Sequence, residues 1–155
     1  AMSLCMFFSN CTYFSEKLGF NLQIGKETFH PYLGSIGLGI MRTIFAMIDA
    51  NRDSRGIVWP ENFAPIKYSI TPLYPRESEQ MELADKIYNI LKGKENDVIF
   101  DDREKISIRK RSLDLIGVQK QFVVLRDKGV LKIIEEDRKT NFKREINLSM
   151  LEELL

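Results

Sequence analysis

The chain has 155 residues, of which 44% are hydrophobic and 29% charged, so it can bury a core and is not an intrinsically disordered segment. Its 23 lysines and arginines nearly balance 22 aspartates and glutamates, for a net charge of +1. No long-range field therefore attracts a polyanion, and any contact with nucleic acid must come from a local basic cluster.

Metal, disulfide and membrane chemistry receive little support from the composition. Two cysteines and one histidine cannot assemble a metal cage. Cys5 and Cys11 lie close together in an apolar stretch, which favours buried, reduced thiols over a disulfide. The apolar run near the start is too short for a membrane span and lacks a basic leader, so no targeting segment is expected.

The first fifty residues predict a β-meander followed by a helix. Strands are predicted over residues 4–10, 20–24 and 28–33, with a turn at Gly25. From Ile40 to about residue 50, apolar residues recur at three- and four-residue steps. That spacing is typical of a mostly buried amphipathic helix.

A glycine-rich segment at the start of this helix carries the first candidate site. Gly37 and Gly39 let the backbone approach a flat or charged ligand, and Arg42 offers a planar cation for a phosphate or a purine. These three residues are the predicted nucleotide contacts. Arg42 stands where a dinucleotide fingerprint needs glycine, and no P-loop Gly-Lys-Ser/Thr follows. The alternative is a tight turn that caps a core helix, with Arg42 facing solvent.

The second half predicts strands alternating with helices. A polar turn at 51–56 marks a domain boundary. A last helical turn is predicted to begin at Ser149, with a capping box to Glu152 and burial of Leu154 and Leu155. The strand predictions cover residues 66–70, 97–100, 121–125 and 130–135, and the helix predictions cover about 81–91 and 107–116. The fold class is therefore α/β, a mixed sheet flanked by about three helices.

A basic run after the predicted strand 97–100 carries the second candidate site. It contains five cations: Arg103, Lys105, Arg109, Lys110 and Arg111. Strand ends in such sheets hold ligands, and single-stranded bases need cations for phosphates and polar groups that read base edges. Asp101 and Asp102, just before the run, either accept from base amino groups or position the arginines. A solvated helix face is the alternative.

Five short motifs stand in order along the chain: Gly39-Ile40-Met41-Arg42-Thr43, Gly56-Ile57-Val58-Trp59-Pro60, Ala64-Pro65, Phe100-Asp101-Asp102-Arg103 and Asp114-Leu115-Ile116-Gly117. In order and nearly in spacing, they resemble the C-terminal end of prolyl-tRNA synthetases over roughly residues 5–140. In that family the glycine-arginine segment is the third signature motif of class II synthetases, which implies that Gly37, Gly39 and Arg42 contribute to the ATP site. The Trp-Pro pair marks the passage out of the catalytic domain, and Asp-Asp-Arg lies in the anticodon-binding domain.

The resemblance implies a domain division and a set of partners. Residues 1–60 would be the end of an antiparallel-sheet catalytic domain, and residues 63–155 an anticodon-binding domain. The parent enzyme would be a homodimeric, cytoplasmic or organellar ligase that joins proline to tRNA(Pro) with ATP and Mg²⁺, without DNA or membrane partners. This part alone is expected to be inactive. The implied anticodon contacts are Asp101, Asp102, Arg103, Arg109, Lys110 and Arg111.

The implied proline pocket departs from the family pattern. Phe8, Thr12 and Ser15 match that segment, but Met6 replaces a histidine and Cys11 a glycine. These departures lower the polarity by which a pocket selects its substrate. Gln119 similarly replaces a proline in the anticodon-binding region. The alternative function is a non-catalytic accessory protein that uses the same domain to dock nucleic acid or protein.

Overall fold

The computed structural model describes residues 1–94 and 97–153. The chain divides into two compact units, Ala1–Met47 and Ile48–Leu155. The expected burial of Leu154 and Leu155 concerns residues outside those described.

The first unit contains two separate pairs of strands. Strands β1 and β4 pair antiparallel, with an irregularity between Ser9 and Cys11, while β2 and β3 form a hairpin around Gly25, whose φ of 64° favours glycine. The elements are β1 (Cys5–Cys11), α1 (Tyr13–Lys17), β2 (Leu22–Ile24), β3 (Glu27–Phe29), β4 (Leu33–Leu38) and α2 (Ile40–Ala50), which continues into the second unit.

Most of the glycine-rich segment is strand β4, and not the tight turn that was considered as the alternative. Gly34 and Gly37 pair with Ser9 and Met6 of β1. The small residues do not break the strand because the neighbouring β1 supplies its hydrogen bonds. None of the glycines from 34 to 39 has a positive φ, so the backbone conformation does not demand glycine at these positions.

Apolar side chains of the first unit are exposed. Phe7, Ile36 and Ile40 leave 67%, 72% and 66% of their surface accessible, and helix α2 has no buried residue. The prediction of a mostly buried helix was wrong, since no second layer covers these strands and α2 in the described residues. Cys5 and Cys11 are free, as expected, but exposed and not buried.

The second unit is a five-stranded mixed sheet with helices. The strand order is β6-β5-β7-β8-β9; β5 runs parallel to β6 and β7, and the remaining pairs are antiparallel. After a 3₁₀ turn (Glu61–Phe63), the elements are β5 (Tyr68–Pro72), α3 (Ser78–Lys94), β6 (Val98–Phe100), α4 (Ile106–Ile116), β7 (Lys120–Asp127), β8 (Val130–Asp137), β9 (Lys143–Ile146) and α5 (Leu148–Glu153).

One face of this sheet builds the hydrophobic core. Helix α3 contributes Ala84, Ile87 and Leu91, and α5 contributes Leu151. Burial of these side chains stabilises the unit by roughly 1.5–3 kcal/mol for each large aliphatic group. The sheet contributes Ile70, Phe122, Val124, Ile133 and Ile146.

Helix ends in the second unit follow local chemistry. Gly117 ends α4 in the left-handed conformation, with φ 77°. Helix α5 is capped two residues earlier than predicted, because Asn147 Oδ1, and not Ser149, accepts from the backbone N–H of Met150 at 2.8 Å.

Candidate nucleotide and nucleic-acid sites

The junction of β4 and α2 holds the predicted ATP contacts. The Gly39 carbonyl accepts from the backbone N–H and the hydroxyl of Thr43, at 2.9 and 3.0 Å, which starts the helix. A Cβ added at Gly37 would meet nothing within 4 Å, so the surface there is open. Arg42, in the first turn, is exposed and bonds to no described residue. The three residues thus lie at one open edge with an uncommitted guanidinium.

The residues matched to a proline pocket are already bonded to one another and to their own unit. Ser15 is fully buried, and its hydroxyl donates to the Thr12 and Pro31 carbonyls at 2.9 and 2.8 Å. The Thr12 hydroxyl donates to Glu16 at 2.6 Å, while Phe8 exposes its ring. Ser15 therefore fixes helix α1 and offers no free hydroxyl to a ligand.

Asp101 and Arg103 form a pair at the carboxyl end of β6. Arg103 donates from Nε and Nη2 to the two Asp101 carboxylate oxygens, at 2.9 and 2.7 Å. These bonds lower the pKa of Asp101 and raise that of Arg103. Asp101 is buried, whereas Asp102 and Arg103 are exposed. Asp101 is thus paired with Arg103 in the structure, an arrangement that fits the second of the two roles considered for it.

Arg109 is buried and lies away from solvent. Its side chain is 0% exposed and donates to the backbone carbonyls of Pro72, Asp101 and Leu73, at 2.5, 3.2 and 3.0 Å. Burial lowers its pKa, but an arginine remains charged in proteins. The guanidinium holds the carboxyl ends of β5 and β6 together, so no phosphate can reach it in this conformation.

Lys110 and Arg111 lie on different sides of α4. Lys110 contacts Glu136 of β8, with 2.7 Å between Nζ and Oε2. Arg111 lines a separate groove with residues 52–57. Successive residues of a helix point about 100° apart, so the basic run does not form one patch and is not a uniformly solvated face.

A pocket of about 200 Å³ lies between α4 and the sheet face opposite the core. We call it the carboxyl-end pocket, because it includes Thr71 and Leu73 at the end of β5. Lys110, Glu136 and Lys143 give it a charged rim. The Thr71 hydroxyl is buried without a hydrogen-bond partner. A buried orphan hydroxyl is costly unless a ligand or water satisfies it.

Three residues of this region were missed from the sequence. Thr71 and Lys143 line the carboxyl-end pocket. Tyr74, 57% exposed, lines an adjoining cavity that shares Leu73 and Ile106 with it. The position of Tyr74 just after a strand, where ligands bind in such sheets, was the available signal. Lys143 carried none, because its strand has no apolar alternation.

The part of the chain described, 1–94 and 97–153, contains no group of three or more His, Cys, Asp or Glu side chains placed to hold a metal ion. Within those ranges, no helix has the length and apolarity to cross a membrane.

Two curated relatives of this chain are both named proline--tRNA ligase. The chain is 35% identical over 128 residues to the proline--tRNA ligase of Heliobacterium modesticaldum, and the aligned region covers 80% of this chain and 21% of that relative. It is 37% identical over 127 residues to that of Fusobacterium nucleatum, with the same coverage. The chain thus spans about a fifth of the length of these relatives. No family model matches it.

Solved structures agree with these relatives. The prolyl-tRNA synthetase of Cryptosporidium parvum complexed with L-proline and AMP matches with a TM-score of 0.83 and 26% identity, over 96% of this chain and 33% of that one. The same synthetase complexed with halofuginone and AMPPNP matches with a TM-score of 0.82 and 26% identity, over 96% and 31%.

Proposed function

We propose that this chain, which belongs to the prolyl-tRNA synthetase family, is the C-terminal part of a proline--tRNA ligase. Residues 1–60 would close the catalytic domain and residues 63–155 would bind the anticodon of tRNA(Pro). The observation that carries this assignment is the sequence identity of about a third to named ligases across four-fifths of the chain. The accessory-protein alternative is not favoured, because these relatives are named as ligases.

The parent reaction would have two steps. The proline carboxylate attacks the α-phosphate of ATP, which forms prolyl-adenylate and releases pyrophosphate; a terminal ribose hydroxyl of tRNA(Pro) then displaces AMP. Arg42 would bind ATP, and the open backbone at Gly37 and Gly39 would leave room for the nucleotide. An uncommitted guanidinium at an exposed helix start suits this role, since it loses no existing bond on binding. The described residues contain no group of three or more His, Cys, Asp or Glu side chains placed to hold Mg²⁺.

The exposed apolar surface of the first unit supports its place in a catalytic domain. Phe7 and Ile36 are paired neighbours on one face of the β1–β4 ribbon, and Met6 and Phe8 lie on the other. Strands that are apolar on both faces are typical of the interior of a larger, covered sheet.

The carboxyl-end pocket supports anticodon binding in the second unit. Its volume is below the roughly 300–1,000 Å³ of pockets for drug-sized ligands, and suits a single flat base. Thr71 would supply a hydroxyl to the base edge, Lys110 would contact a phosphate, and exposed Tyr74 would stack on a neighbouring base. Asp102 and Arg103 lie at the same end of the sheet, after β6. Arg109 would act only by holding the two strand ends in place.

Binding of a tRNA(Pro) transcript tests this site, with Lys110→Met and Arg111→Met as matched variants that each remove one cation from α4. We expect wild-type binding on the order of micromolar at moderate salt, typical of contacts that are mainly to phosphates. Lys110→Met should weaken binding and reduce the salt slope by about 0.7, the value for one phosphate on a single-stranded loop. Equal effects of the two substitutions would contradict the placement of the site in the carboxyl-end pocket.

A further inference from the structure

A cluster of charged side chains joins the carboxyl-end pocket to the segment 51–57. Its carboxylates are Asp53, Asp114 and Glu136, and its cations are Arg55, Lys110, Arg138 and Lys143. We refer to these seven residues as the charge cluster. Three carboxylates thus face four cations, so one cation can leave without leaving a carboxylate uncompensated.

Glu136 is the residue that these contacts share. Its Oε2 atom accepts from Lys110 at 2.7 Å and from Lys143 at 3.0 Å, while its Oε1 atom lies 3.6 Å from Arg55 Nη1. Its side chain is only 6% exposed. Burial alone would raise the pKa of Glu136, but the two lysines lower it below its ordinary value. The carboxylate therefore stays ionised and available to whichever cation is nearest.

The segment 51–57 depends on the other members of the cluster. Asp53 accepts from the backbone N–H groups of Arg55 and Gly56, at 2.8 and 3.0 Å, and from two guanidinium nitrogens of Arg138, at 2.8 and 2.7 Å. Arg55 also donates to Asn141. Its contacts with Glu136 and Asp114 are longer, at 3.6 and 3.7 Å. These two contacts can shorten if Glu136 loses a competing cation.

We propose that Glu136 couples ligand binding at the carboxyl-end pocket to the order of residues 51–57. This inference rests on the proposed function, in which Lys110 contacts a phosphate of the bound RNA. Lys110, 40% exposed, is the cation that a ligand at the pocket rim can reach. When Lys110 binds a phosphate, Glu136 loses one of the cations that compete for its carboxylate and attracts Arg55 more strongly. Arg55 then holds residues 51–57 more tightly against β8. Glu136 is thus a positioning residue and touches no ligand itself.

Hydrogen exchange of the Arg55 and Gly56 amides tests this coupling, first without RNA. Lys110→Met removes the ammonium group and imitates its capture by a phosphate. We expect it to slow exchange at these amides by about fivefold, the factor for roughly one net hydrogen bond. Lys105→Met removes an equal charge from the exposed start of α4 and should change nothing. In Glu136→Gln/Lys110→Met the slowing should vanish. Unchanged α3 amides would show in each variant that the unit is folded.

The same amides are then followed on addition of an anticodon stem-loop RNA of tRNA(Pro). The wild-type amides should slow on binding, and Glu136→Gln should bind the RNA without slowing. Slow exchange in Lys110→Met, combined with no binding of the RNA by the wild-type chain, would refute the anticodon function and support the coupling. Unaltered exchange in folded Lys110→Met, or RNA binding that leaves the wild-type amides unaltered, would overturn the coupling.

Discussion

Replacement of Arg109 by methionine tests the structural role of a cation that the sequence placed in the ligand site. Methionine keeps an unbranched apolar stem but leaves the carbonyls of Pro72, Leu73 and Asp101 without their donor. A buried polar group that loses its partner costs about 1–3 kcal/mol. Three such groups give about 3–9 kcal/mol, which is reduced because Arg109 Nε is itself buried without a partner and its desolvation is relieved.

We therefore expect the free energy of unfolding to fall by about 3–4 kcal/mol, near the lower end of that range. With a urea slope of about 2 kcal/mol per molar, the midpoint should fall by about 1.5–2 M. Fluorescence of Trp59 is a suitable measurement, because it is the only tryptophan and donates to the Ile116 carbonyl at the end of α4. Arg111→Met is the control and should stay within about 0.5 kcal/mol, as is usual at exposed sites. Equal midpoints for Arg109→Met and wild type would refute the role.

Three further predictions concern other parts of the chain. Gly56→Ala should destabilise the second unit strongly, since the added Cβ would lie 2.4 Å from Leu115 Cα. Gly93 lies in helix α3 with open space around it, so Gly93→Ala should stabilise the unit by about 0.5–1 kcal/mol. Thermal unfolding of both variants checks the contrast. Arg138 lowers the pKa of Asp53, so Asp53 contributes stability above its unfolded pKa near 4, and this stability is lost as the pH falls below that value. In unfolding curves measured from pH 7 to 2, Asp53→Asn should therefore lose less free energy of unfolding on acidification than the wild type. Parallel profiles of the two proteins would contradict this. In the full-length ligase, Arg42→Ala should raise the ATP concentration needed for proline-dependent pyrophosphate exchange by about 10-fold or more, as for a lost charge-assisted bond, and unchanged kinetics would exclude ATP contact by Arg42.

The α/β class and the order of most elements followed from the sequence because apolar spacing reports which face is buried. The end of α4 at Gly117 was also predicted from the sequence, because glycine readily adopts the left-handed conformation that ends a helix. Strand β9 was missed, since its Lys143-Arg144-Glu145 run lacks alternation and it pairs by cross-strand ion pairs with Glu135 and Glu136 of β8. Such partners are distant in sequence and appear only in the fold.

The direction of each cation in the basic run also needed the structure. Arg109 follows Ile106 by three residues and precedes Leu113 by four, so it lies in the inward stripe of α4. That spacing was the available signal, but the prediction followed the positive charge of the basic run and placed Arg109 in the ligand site. The carbonyls that accept from Arg109 lie at or just after the carboxyl ends of β5 and β6, and no local pattern indicates them.

Anticodon binding is tested by a comparison of two affinities of the chain, one for tRNA(Pro) and one for the same tRNA with a scrambled anticodon loop. The stem, the length and the total charge of the two RNAs are equal, so phosphate contacts alone cannot distinguish them. An anticodon-binding domain predicts tighter binding of tRNA(Pro), by about 5- to 150-fold if one base is read through hydrogen bonds worth about 1–3 kcal/mol. The difference should diminish in Thr71→Val, which removes the orphan hydroxyl at nearly constant volume. Equal affinity of the wild-type chain for the two RNAs would contradict the account.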